Sequence, residues 1–183
     1  MCIVINKKNR FRFVILVVCY LPFLIVSAQS LPPLTHKLTK LKEAGAAPEL
    51  ILVNLDDEIV DIRNLKGKVV IVNFWATRCP PCRREMGSLE KLYMQTKDSG
   101  VEVLAVNIGE DLDTVFSFLG MVDPSPSFQM LLDLEAVSVE TWGVKGLPTT
   151  YILNKQGDLV YRAVGGREFD HPDIVSVVID LSG

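Results

Sequence analysis

The chain has 183 residues, 49% of them hydrophobic and 22% charged, with 12 Gly and 10 Pro. This is ordinary globular composition for one domain, and it excludes a collagen, a disordered tail and a multi-pass membrane protein. The formal net charge is −3, but Lys7, Lys8, Arg10 and Arg12 are the only charged residues among the first 28, so without those four cations the rest stands at −7. A chain that acidic carries no electrostatic footprint for nucleic acid.

Residues 1–28 read as a signal peptide or membrane anchor. Cations precede the apolar run Phe13–Ala28, and Val26-Ser27-Ala28 offers short residues for cleavage before Gln29. A retained anchor is the alternative reading, although the run is short for a span and Pro22 interrupts it. Either reading sends the globular part out of the cytoplasm. Cys19 does not make a lipoprotein signal, because bulky Val18 precedes it.

Residues 29–46, with Pro32, Pro33 and Gly45, read as a tether holding at most a short helix between Thr35 and Ala44. The domain is expected over 47–183. Leu50–Leu55 and Ile59–Ile62 flank the acidic turn Asp56-Asp57-Glu58 as a hairpin. Val69–Trp75 is β-branched and apolar on both faces, the signature of a central buried strand. From Pro80 to about Asp98 the period becomes helical. Val101–Ile108 is a second buried strand, and Asp111 opens a helix running to about Leu119. A short strand at Met130–Leu132, a short helix at Ala136–Trp142 and a hairpin of Thr149–Leu153 with Asp158–Val164 follow. Asp170 caps a final helix with Pro172 in its first turn. The order predicts an α/β fold, a mixed sheet with helices on its faces.

Four cysteines are too few for a disulfide-dense scaffold. Cys2 and Cys19 fall in the export segment, while Cys79-Pro80-Pro81-Cys82 follows a buried strand and opens an amphipathic helix. Unpaired N–H groups at a helix start favour a thiolate, which makes Cys79 the reactive sulfur and Cys82 the resolving one. Such a pair exchanges electrons through a mixed disulfide without a bound cofactor. A purely structural disulfide would close too small a loop to stabilise much. A zinc site would need further ligands, and the only histidines, His36 and His171, read as solvated surface residues. The peroxidatic Pro-x-x-x-Thr-x-x-Cys spacing fails, since Val72 and Ala76 stand where Pro and Thr are required. No resident metal is expected, although Cu(I) binding by the reduced pair is chemically reasonable. The second motif is Gly146-Leu147-Pro148-Thr149-Thr150 at the start of a strand. Read locally, a proline there is trans more often than cis.

Ala47-Pro48-Glu49-Leu50, the run Leu65–Thr77, Cys79–Met86 and Leu147–Thr150 together resemble the TlpA/ResA branch of the thioredoxin-like proteins, in order and at fitting distances over about residues 47–181. Val106–Glu110 resembles the second strand of that family and its following loop. The resemblance implies a thioredoxin-like fold with an N-terminal β-hairpin extension. It also implies a cis bond at Leu147-Pro148, against the local reading, with Leu147, Pro148 and Thr149 guiding an extended substrate. It makes Glu85, one turn beyond Cys82, the acid that relays protons. Without it, Glu85 reads as a surface residue paired to an arginine. Asn73 stands where thioredoxins proper place a buried Asp. Two positions depart from the pattern: Arg78 replaces an aromatic residue and brings a cation beside Cys79, and Gly87 replaces a proline that kinks the helix.

The function expected on these grounds is thiol:disulfide exchange on cysteine-containing proteins, more as reductant than oxidant, by an extracytoplasmic monomer. The resemblance implies apocytochrome c thiols as substrate and a membrane thiol reductase as electron donor. The alternative is a copper-handling dithiol protein, for which Met86 is the nearest extra ligand in the sequence.

Overall fold

The computed structural model describes residues 33–183. The segment 1–28, expected to be a signal peptide or anchor, lies outside the described residues, and among those described no helix is long and apolar enough to cross a membrane. Eight strands form one sheet: β1 (Thr39–Ala46), β2 (Ile51–Asn54), β3 (Ile59–Asp61), β4 (Val69–Trp75), β5 (Val101–Ile108), β6 (Gln129–Asp133), β7 (Thr149–Leu153) and β8 (Asp158–Val164). Their order is β1-β8-β7-β4-β5-β6-β2-β3. β4, β5 and β6 run parallel, and the remaining neighbours pair antiparallel. Among the described residues there are four α-helices: α1 (Pro80–Thr96), α2 (Leu112–Leu119), α3 (Val137–Thr141) and α4 (Pro172–Ser182).

β4 explains the layering. Its side chains alternate with period two. Val69, Ile71 and Trp75 join a core with Met86 and Leu89 of α1, Phe118 of α2 and Ile174 of α4. Val70, Val72 and Phe74 join a second core with Leu50, Trp142 and Tyr151. Both faces are covered, so every residue of the strand is buried. Position 73 belongs to the α1 face by the same alternation, so a polar residue there must find its partner beneath that helix.

The expected hairpin is present as β2 and β3, at one edge of the sheet. The other edge corrects the sequence reading. Residues 39–46 are not tether but β1, antiparallel to β8, with an irregularity between Lys40 and Gly45. The strand escaped notice because it is exposed almost throughout and so needs no apolar alternation. The segment just before it is also seated. Thr35 donates to the Gly166 carbonyl at 3.3 Å and accepts from the Glu168 N–H at 2.8 Å, while Arg167 Nε donates to the Lys37 carbonyl at 2.8 Å. This strap packs tightly, because a β-carbon at Gly166 would lie 2.5 Å from Leu34 Cδ2 and 3.3 Å from Pro81.

Candidate active site

Cys79 is the N-cap of α1, in extended conformation, and Pro80 and Pro81 fill the first helical positions, where their missing N–H groups cost nothing. Cys79 and Cys82 are joined in a disulfide with Cα atoms 5.3 Å apart. The Cys82 N–H donates to Cys79 Sγ at 3.4 Å, so the helix mouth is directed at that sulfur. Cys79 is half-buried, whereas Cys82 is wholly buried. An incoming thiol or disulfide therefore has access to one sulfur only.

Glu85 lies one turn beyond Cys82 and is fully buried, which rules out the surface ion pair. Asn73 Nδ2 donates to Glu85 Oε1 at 2.8 Å, and the Arg167 N–H donates to Oε2 at 2.8 Å. Burial dominates over these donors and over the Arg167 charge, pushing the Glu85 carboxyl up to about 8. The second amide hydrogen of Asn73 goes to Thr150 Oγ1 at 2.9 Å, tying the acid to β7. The loop presenting the Arg167 N–H is the one held by the strap.

The Leu147-Pro148 bond is cis, as the resemblance implied and the local reading did not. Leu147 is half-buried and Pro148 buried, and the Pro148 carbonyl accepts from the Gly165 N–H at 2.8 Å. Thr149 is 1% exposed, paired with Phe74 on one side and Val164 on the other, and its hydroxyl donates to the Gly146 carbonyl at 2.7 Å. Thr149 thus shapes the turn from below, and Leu147 is its accessible residue.

Arg78 does not direct a free cation at Cys79. Its Nη1 lies 3.0 Å from Glu110 Oε1, and its Nη2 donates to the Ile108 carbonyl. Glu110 also accepts from the Thr77 N–H at 2.7 Å, the Thr77 hydroxyl at 2.9 Å and Asn107 Nδ2 at 2.8 Å. Partial burial raises the Glu110 carboxyl, but the donors from Thr77, Asn107 and Arg78 outweigh it and hold the group below the usual range. Glu110 therefore fixes the residues immediately before Cys79, a role the sequence did not disclose. The one signal was its place in the turn after β5. Gly87 lies within the continuous α1, where a β-carbon would stand 3.3 Å from the Asp123 carbonyl. Met86, the extra ligand considered for copper, is wholly buried in the core. A groove of about 540 Å³ between Pro48–Leu52 and the segment holding Leu132, Ser138 and Thr141 includes none of these groups.

Residues 39–178 match the Redoxin family. The chain belongs to that family. Among the relatives of this Redoxin chain is the thiol-disulfide oxidoreductase ResA of Halalkalibacterium halodurans, 40% identical over 127 residues that make up 69% of this chain and 71% of the relative. The ResA of Bacillus subtilis is 30% identical over 164 residues, 87% of this chain and 88% of the relative. A thiol:disulfide interchange protein of the thioredoxin family from Chlorobium tepidum superposes with a TM-score of 0.63 at 26% identity, over 75% of this chain and 97% of the other. This Redoxin chain is therefore a ResA-like thiol-disulfide oxidoreductase with a thioredoxin-like fold.

Proposed function

We propose that the protein is an extracytoplasmic reductant of protein disulfides, and that Cys79, Cys82 and Glu85 carry the reaction. The observation that carries this reading is the asymmetry of the disulfide: a half-buried sulfur at the helix mouth, a wholly buried sulfur behind it and a carboxyl of raised pKa one turn further in. In the reduced form the Cys79 thiolate attacks a substrate disulfide, releasing one substrate thiolate and forming a mixed disulfide. Cys82 then attacks Cys79 Sγ, its proton passes to the Glu85 carboxylate, and the second substrate sulfur leaves as a thiolate that is protonated from solvent. The enzyme ends oxidised with Glu85 protonated, which agrees with a carboxyl pushed up to about 8 in the disulfide form. Leu147 offers backbone groups to an extended substrate segment, while Pro148 and Thr149 hold the loop in place.

The thiol-disulfide oxidoreductase names of the ResA relatives support cysteine-containing protein substrates, and the basic then apolar pattern of residues 1–28 supports an outward-facing location. Apocytochrome c thiols are the substrate class we assign, with electrons returned by a membrane thiol reductase to a monomeric enzyme. A cysteine-trapping experiment tests this. Cys79→Ser is expected to abolish exchange, and Cys82→Ser to accumulate mixed disulfides with c-type apocytochromes. Equal activity of the two variants would contradict the mechanism, and capture of unrelated proteins alone would contradict the substrate class.

A further inference from the structure

The chain has only two histidines, and the fold brings them together. His36 of the strap stacks on His171, the N-cap of α4, with ring centroids 3.9 Å apart and planes 10° from parallel. Asp173, in the first turn of α4, faces both: its Oδ2 is 3.6 Å from His36 Nε2 and 3.7 Å from His171 Nδ1. The three prospective ligand atoms all lie within 4.8 Å of one another. His171 Nδ1 also accepts the Asp173 N–H at 3.2 Å, a cap contact that a metal at this nitrogen would replace.

We propose that His36, His171 and Asp173 form a binding site for a divalent transition-metal ion of the Zn²⁺ class. Two imidazoles and one carboxylate suit Zn²⁺ and neighbouring late metals, whereas Mg²⁺ and Ca²⁺ require oxygen-rich sets. In a tetrahedral zinc site with bonds of ~2.0–2.1 Å, ligand atoms stand about 3.3 Å apart. The two distances to Asp173 therefore close by a few tenths of an ångström. The histidine nitrogens, within 4.8 Å of each other, converge by rotation of two partly exposed rings, 42% and 31% accessible, out of their parallel stack. Three protein ligands leave a fourth position for water.

The site reaches the redox centre through the chain. It staples the strap to α4, and the strap holds the loop whose Arg167 N–H bonds Glu85. Solvated histidines would not need to meet. A bound cation gives a physical reason for one carboxylate facing a nitrogen of each ring.

The test is calorimetric titration of the full-length protein with Zn²⁺ in the disulfide form, with Cys2 and Cys19 alkylated so that no thiol competes. The expected result is saturable binding of one ion, unaffected by excess Mg²⁺. His36→Ala and His171→Asn, the latter keeping a cap acceptor for α4, are each expected to weaken binding about tenfold or more. Absence of saturable binding in the wild type, or wild-type affinity in either variant, would overturn the proposal. Neither variant touches Cys79, Cys82 or Glu85, so failure here leaves the exchange mechanism standing.

Discussion

Glu85 and Glu110 bracket the Cys79–Cys82 turn, and their environments drive them in opposite directions. Glu85 is wholly buried with two donors, and desolvation wins. Glu110, whose side chain keeps 8% of its accessibility, collects donors from Thr77, Asn107 and Arg78, and hydrogen bonding wins. The comparison teaches that proximity to a redox pair does not set a carboxyl's role. The count of donors against the loss of water does. One acid is left able to take and give a proton near neutral pH, and the other is a fixed anion that braces a loop.

The largest effect is expected from removing the titrating acid. Glu85→Gln should slow the step in which Cys82 resolves the mixed disulfide by about a hundredfold and flatten its pH profile. Stopped-flow exchange measured across pH checks this, and an unchanged profile would return Glu85 to a structural role.

The same acid governs stability. Its folded-state value near 8 lies above the ordinary 4.5, so the native disulfide form holds a proton that the unfolded chain releases. That contribution is fully present below about 4.5 and is lost as pH rises through about 8. Its size is on the order of several kcal/mol. Denaturant unfolding of wild type and Glu85→Gln should therefore diverge with rising pH, the variant losing less stability.

Glu110→Ala should act differently. With the Thr77 donors left unpaired, stability should fall by about 1–2 kcal/mol at neutral pH, and exchange should slow with its pH profile unmoved. Because the Glu110 carboxyl lies below its ordinary value of 4.5, its contribution is present above that value and lost as pH falls through the folded one. Arg78→Ala is the smallest change. The guanidinium is 60% exposed, and its pairing with Glu110 is worth about 0–1 kcal/mol. A large loss of exchange rate in this variant would show that Arg78 serves the sulfur itself.

The sequence was most informative where burial is periodic and least where contacts are distant. β4 was legible because both its faces are covered, and the Cys79–Cys82 pair because strand, turn and helix stand next to each other. The cis Leu147-Pro148 bond came from motif resemblance alone, since local preference points to trans. β1 was missed because an exposed edge strand needs no hydrophobic pattern. Glu110 and the His36–His171 stack were missed for another reason: their partners are supplied by the fold, from β4 and its turn in one case and from opposite ends of the domain in the other.

The most direct measurement is a ¹³C NMR titration of the Glu85 carboxyl in the disulfide form, assigned by comparison with Glu85→Gln. The account predicts that this carboxyl remains protonated at neutral pH and titrates near 8. Titration with the ordinary carboxylates, near 4.5, would contradict it.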